Sequence, residues 1–337
     1  MLLFLGIIVL IYGCRKGTTE FEQINPEIIQ WQPFVSSPAN TLLKLEIDSA
    51  GKIYASAVAG LFVSEDDGNT WKLIYNSIQP RNFEVSPIDG RIMISAVGGF
   101  TGWIDYSTDG GRAWKKPSIF PGTALITSFL YLVNGTILCG SYETEETNGG
   151  LLISYDGGNE WVSSDLSRMV SVQSLNKNAG YIFAGTVEHD IQTGAGTRKI
   201  YRSSDNGLHW EALAYAEVSR DIELIITGAD NSVYLGTYGQ GIFRSNDNGG
   251  TWAAIGFNSS VISSLIIDQR QIVYTATQDT SHSVYYSVDQ GNTWTAYYTG
   301  LPAKRILTLQ IYKQDYLLAG TSGAGLYISN DLSRIEL

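Results

Sequence analysis

One short pattern, Ser-x-Asp-x-Gly-x-Thr-Trp, recurs about every forty to fifty residues along nearly the whole chain. Six near-complete copies begin at Ser64, Ser107, Ser154, Ser203, Ser245 and Ser287 and end at Trp71, Trp114, Trp161, Trp210, Trp252 and Trp294. A seventh, Ser329-Asn330-Asp331, runs out before its tryptophan. A fixed period of this length marks a repeat architecture, in which each unit buries its apolar face only by stacking on its neighbours.

The tryptophan that the last copy lacks is found at the other end of the chain. Trp31 lies 40 residues before Trp71, about one period, and has no Ser-x-Asp pattern of its own. The economical reading is a closed ring whose N-terminal strand supplies the outermost strand of the final repeat. Closure removes the sheet edges that would otherwise template aggregation.

Within each period the apolar runs are short. Lys52–Ala57, Arg91–Ala96, Thr136–Ser141, Tyr181–Thr186, Ser232–Thr237, Ile272–Thr277 and Tyr316–Thr321 share an apolar-then-small pattern, and each is followed by a run into the next Ser-x-Asp. Short β-rich runs punctuated by Gly, Asn and Asp read as strands and turns, with no helical period competing. Four strands in each of seven repeats predict an all-β, seven-bladed β-propeller of antiparallel strands spanning residues 28–337.

The recurring residues suit structural work. An Asp two residues after a Ser accepts turn N–H groups, and Gly tolerates positive φ. A buried Trp ring anchors the outer strand, at roughly 4–6 kcal/mol by area. Asp66, Asp109, Asp156, Asp205, Asp247, Asp289 and Asp331 are therefore read as scaffold, not as catalysts.

These copies, such as Ser245-Asn-Asp-Asn-Gly-Gly-Thr-Trp252, resemble the Asp-box, or bacterial neuraminidase, repeat. The longer phrase from Val233 to Ser245 resembles the photosystem II stability/assembly factor-like branch of such propellers. The resemblance is specific for fold. For activity it implies a range, because Asp-box propellers include sialidases, xyloglucan endoglucanases, sortilin-type receptors and assembly factors.

The N-terminal run Met1–Gly13 is apolar and shorter than the roughly 20 residues of a membrane-spanning helix. Its end, Gly13-Cys14, resembles the bacterial lipoprotein signal. That resemblance implies removal of residues 1–13, lipidation of Cys14, a polar tether over 14–27, and a cell-envelope location with membrane contact through the lipid alone. An uncleaved anchor and ordinary secretion are the other readings of the same run. Cys139 is then left without a disulfide partner and sits in an apolar strand, as a buried small hydrophobe would.

Function belongs on the face opposite the Ser-x-Asp turns, where the second-to-third turns vary in length from Val58–Gly60 to Val187–Thr197. Arg81, Arg168, Arg220 and Arg305 each stand four residues before an inner-strand apolar residue. Four of seven blades thus share one Arg register, which would concentrate guanidiniums at the channel mouth and suit a carboxylate or phosphate. The assembly-factor resemblance implies an arginine-rich patch on this kind of face. The bland alternative is local pairing with Glu84, Asp221 or Glu223. Arg198, in the long blade 4 turn, is not assigned to the cluster.

Trp103, Tyr142, His189 and Tyr238 lie on the same predicted face as candidate binding groups. Trp103 replaces the Gly found at Gly60, Gly150, Gly241 and Gly325, and Asp105 occupies a register that is apolar or aromatic elsewhere. A carboxylate there is either a functional acid or a locally exposed substitution, and exposure is the expectation.

Two function classes follow. The first is a non-catalytic binding or assembly propeller whose partner is a protein, a peptide or an acidic glycan. The second is a glycoside hydrolase with Asp105, Glu143, Glu188 or Asp190 as its acids. Against a sialidase stand seven blades in place of six and the absence of an Arg-Ile-Pro motif. Against the endoglucanases stands a single propeller where they use two. No cofactor or metal is expected, since His189, His209 and His282 fit no zinc spacing. The net charge of −11 argues against nucleic acid as partner, and a monomer is expected.

Overall fold

The computed structural model describes residues 30–76, 80, 82–98, 101–120, 125–142, 150–166, 170–189, 196–213 and 221–335. The N-terminal signal, Cys14 and the tether lie outside them. Seven antiparallel sheets follow one another around a ring. Their first strands are Leu42–Ile47, Phe83–Val85, Leu125–Tyr131, Val170–Lys177, Ile222–Thr227, Ile262–Ile267 and Ile306–Tyr312. Each packs on the first strand of the next blade, the last against the first, so these seven strands wall the centre. The β-propeller expectation therefore holds.

Six sheets have four strands, and in the second blade the fourth shrinks to a bridge between Tyr106 and Lys115. Closure is achieved by Trp31–Pro33, which pairs antiparallel with Leu326–Ser329 in the register Trp31↔Ser329 and Pro33↔Tyr327. Trp31 is fully buried, and its indole Nε1 donates to the Tyr297 carbonyl of blade 6 at 2.7 Å. Leu332, also fully buried, joins it in the cluster between blades 6 and 7, carried there by a short 3₁₀ turn that Asp331 caps.

The six complete Ser-x-Asp turns share one hydrogen-bond net. Each serine is at most 1% exposed, and its hydroxyl donates to the Asp Oδ1 at 2.7–2.9 Å. The same hydroxyl accepts the Gly N–H at 2.7–2.9 Å. The Asp Oδ1 also accepts the backbone N–H before the Trp at 2.8–3.0 Å.

The tryptophans differ in where they are tied. Trp161, Trp210 and Trp252 donate to the glycine carbonyl three residues back, at 2.9, 3.0 and 3.1 Å. Trp114 and Trp294 reach the preceding blade instead, at Ile74 and Ile255, 2.7 and 2.8 Å away.

On the face carrying these turns, cationic arms link blades. Arg91 of blade 2 donates to the Gly157 carbonyl of blade 3, and Arg244 of blade 5 to the Gln290 amide of blade 6. Arg202 of blade 4 reaches the Asn248 carbonyl, and Arg270 of blade 6 the Leu332 carbonyl, both at 2.8 Å. Lys313 of blade 7 meets Asp67 of blade 1 at 3.0 Å. Among the described residues, the 1–2 and 3–4 junctions lack a bonded arm of this kind. Lys52 turns back to Glu65 of its own blade, and blade 3 offers only Thr136 and Ile153 at the positions that Arg91 and Arg202 occupy.

The turn carboxylates are held below the usual range: Asp247 first by the Thr251 N–H and then by the Ser245 hydroxyl, and Asp205 down to about 2, first by the His209 N–H. Asp66, Asp109, Asp156 and Asp289 are lowered too. A depressed folded-state pKa contributes stability above the unfolded value of about 4 that is lost as pH falls through the folded value. Urea unfolding between pH 5 and pH 2 should accordingly show falling stability, with a shallower fall in Asp247→Asn. At neutral pH, Ser245→Ala should cost about 1–3 kcal/mol, because it strands the buried Gly249 N–H.

Candidate functional site

The second-to-third turns and the connections between blades share the face opposite the Ser-x-Asp turns. Of the four register arginines, Arg81, Arg168 and Arg220 lie outside the described residues. Arg305 is exposed at the entry to the inner strand of blade 7, and its carbonyl accepts the Ser322 N–H at 2.9 Å. Its guanidinium makes no ion pair among the described residues. Two of the three acids expected to neutralise such arginines have other partners: Glu84 lies 3.0 Å from Lys44, and Asp221 lies 2.8 Å from Arg198.

Tyr142, which ends the second strand of blade 3, is 38% exposed, and Tyr238, just after the second strand of blade 5, is 53% exposed. The His189 backbone ends strand Ile182–His189 opposite Gly196. Glu143 and Asp190 lie outside the described residues.

Asp105 corrects one expectation. It is 8% exposed, not a surface substitution. Its Oδ2 accepts the Tyr75 hydroxyl at 2.5 Å and the Trp103 indole N–H at 3.3 Å. Lys116 stands 3.7 Å from its Oδ1 and 4.9 Å above the Trp103 ring. The cause is the neighbouring blade. Tyr75 ends the outer strand of blade 1 and packs edge-on against Trp114 with ring centroids 4.6 Å apart. A half-buried phenol packed against a neighbouring blade needs an acceptor, and Asp105 supplies it. At the 5–6 junction the same register carries Tyr285, which meets Phe257 at 4.9 Å with no hydroxyl to satisfy on the Phe. Burial first, and then the Asp105 bond, raises the Tyr75 phenol.

Trp103 fits for a related reason. At Gly60, with φ of 142°, a Cβ would come within 2.1 Å of the Tyr75 carbonyl oxygen on the bulged outer strand. Blade 2 keeps only a bridge there, which leaves room for an indole.

Glu188, the other described acid, is half-buried, 2.6 Å from Lys199, and accepts the Tyr201 hydroxyl. It lies on blade 4 and Asp105 on blade 2, with blade 3 between them. Cys139 is fully buried, and burial raises its thiol, which disfavours the nucleophilic thiolate. His209 bonds Asp205 of its own turn, and His282 packs edge-on to Tyr298. No cluster of metal-ligating side chains occurs among the described residues.

Sequence reasoning missed a charged cluster on the first strands. Lys44 lies 2.5 Å from Glu46 and 3.0 Å from Glu84, and it donates to the Phe83 carbonyl at 2.5 Å. The Val85 N–H donates to Glu46 at 2.8 Å. Burial opposes the Lys44 charge, but the two glutamates outweigh it and raise that ammonium. Burial first, and then the charge of Glu84, pushes Glu46 well above the carboxylate range. The available signal was the Lys44-x-Glu46 alternation on one strand face with Glu84 on the next first strand.

Asp105→Leu should destabilise the protein by about 1–3 kcal/mol by orphaning the Tyr75 hydroxyl, and adding Tyr75→Phe should recover most of that loss. A urea double-mutant cycle checks the coupling.

No family model and no characterised protein sequence matches the chain. Solved structures do. The extracellular domain of the putative one-component system BT4673 from B. thetaiotaomicron aligns at 16% identity over 89% of this chain and 40% of its own, with a TM-score of 0.67. The GH74 xyloglucanase of Xanthomonas campestris aligns at 16% identity over 91% of this chain and 54% of its own, with a TM-score of 0.70. YCF48 bound to D1 peptide aligns at 15% identity over 90% of this chain and 97% of its own, with a TM-score of 0.67. The chain thus spans about two fifths of the BT4673 extracellular domain, half of the xyloglucanase and nearly all of YCF48. At this identity the likeness establishes the β-propeller fold that all of them share.

Proposed function

We propose that this chain is a non-catalytic binding or assembly propeller of the bacterial cell envelope, held by a lipid on Cys14. It presents the face of the second-to-third turns to a carboxylate-bearing peptide or protein segment. One contrast carries this reading. Both described acids that a hydrolase would use, Asp105 and Glu188, are already bonded to a phenol and a lysine, on blades that are not neighbours. Arg305, Tyr142 and Tyr238 stand exposed on the same face. Exposed tyrosines and arginines are the residues on which peptide recognition concentrates. The likeness to YCF48, a propeller whose structure is that of a complex with D1 peptide, supports a peptide as partner.

The test is a titration of acidic peptides against the full chain in detergent. Arg305→Ala and Tyr238→Ala should each weaken binding by about fivefold or more, and Arg81/Arg168/Arg220/Arg305→Ala should abolish it. Sugar release from xyloglucan or sialosides that disappears in Asp105→Asn or Glu188→Gln would overturn the reading. Cys14→Ser should move the protein from the membrane fraction to the soluble one.

A further inference from the structure

The two junctions without a bonded cationic arm hold two clefts on the Ser-x-Asp face. The cleft between blades 1 and 2, about 400 Å³, is lined by three bases and three acids, Lys52, Lys72, Arg112, Glu65, Asp66 and Asp109. Its charges balance internally. The cleft between blades 3 and 4, about 450 Å³, is different: Lys177 is its only charged lining residue.

Lys177 ends the first strand of blade 4, is half-buried, and makes no ion pair among the described residues. Burial lowers its ammonium pKa, and no carboxylate offsets that cost. An unpaired, half-buried ammonium is unusual in a chain of net charge −11. The rest of the wall is neutral and hydrogen-bonding. Asn134 comes from the first turn of blade 3, and Ser204 and Asn206 come from the Ser-x-Asp turn of blade 4. All three are exposed, and the side chains of Ser204 and Asn206 have no partner among the described residues. Val133, 87% exposed, supplies an apolar lip.

A single cation surrounded by amide and hydroxyl groups recognises a small ligand with one negative charge and several hydroxyls. At about 30 Å³ per water, the cleft holds roughly 15 waters' worth of volume, comparable to the roughly 13 non-hydrogen atoms of a hexuronate. We propose that the cleft between blades 3 and 4 is a subsite for a carboxylate-bearing sugar, with Lys177 on the carboxylate and Asn134, Ser204 and Asn206 on the hydroxyls. It lies on the face opposite the peptide surface and stands or falls independently of it.

The test uses the full chain in detergent and ligand-observed NMR with methyl glucuronide, methyl glucoside, acetate and inorganic phosphate. Methyl glucuronide should bind with a dissociation constant of about 1 mM, a value in keeping with so small a ligand. Methyl glucoside and acetate should bind about tenfold more weakly or worse. Lys177→Gln should bring glucuronide down to the glucoside level, while Lys72→Gln, in the other cleft, leaves it unchanged. Asn206→Gly keeps the left-handed backbone of φ 62° and should weaken both sugars. The proposal is overturned by an absence of saturable glucuronide binding, by binding indifferent to Lys177→Gln, or by acetate or phosphate binding as tightly as glucuronide.

Discussion

At the base of six blades, a buried serine hydroxyl donates to an aspartate and accepts from a glycine N–H four residues after the serine. The rest of the ring depends on this small net, because it brings a glycine against the preceding blade. At Gly291, with φ of 92°, a Cβ would lie 2.3 Å from Ile255 Cδ1. The turn therefore does two things at once. It reverses the chain between the third and fourth strands, and it provides a backbone surface with no side chain on which the neighbouring blade packs. The tryptophan that follows closes the same contact from the outside, by bonding its own turn or by reaching across to the previous outer strand.

A ring assembled from repeats still needs asymmetry to make sites. Here it comes from which blades carry a long cation that reaches the next blade, as Arg91, Arg202 and Arg270 do and Lys52 does not. Where the arm is present, the junction is bridged on the Ser-x-Asp face. Where Thr136 and Ile153 stand instead, a cleft opens. The same logic explains Asp105 and Trp103, which belong to the blade whose outer strand is reduced to one bridge. Substitutions that look anomalous within one repeat are responses to the next repeat over.

That geometry also separates what the sequence reveals from what it does not. The period, the strand pattern and the displaced Trp31 were all legible, because period and alternation are one-dimensional signals. Trp31 pairing with Ser329 could be read from a missing tryptophan at one end and an orphan at the other. Asp105 was misread as exposed because its partner, Tyr75, is 30 residues away on another blade. Glu84 was offered as an alternative local partner for Arg81, and Lys44, which meets it across the inner wall from 40 residues earlier, was not seen. Partners drawn from adjacent blades are separated by about one period. A reading confined to short-range pattern therefore finds the scaffold and misses the pairs.

The N-terminal and C-terminal strands share one blade, and Trp31 locks it. Urea unfolding of Trp31→Ala, with hydrogen exchange followed over Leu326–Leu332 and around Tyr297, tests this closure. The expected result is a loss of about 3–5 kcal/mol and faster exchange on both sides of Trp31, in strand Leu326–Ser329 of blade 7 and in the Tyr297 segment of blade 6. An unchanged unfolding midpoint, with exchange in Leu326–Ser329 as slow as before, would contradict closure by the N-terminal strand.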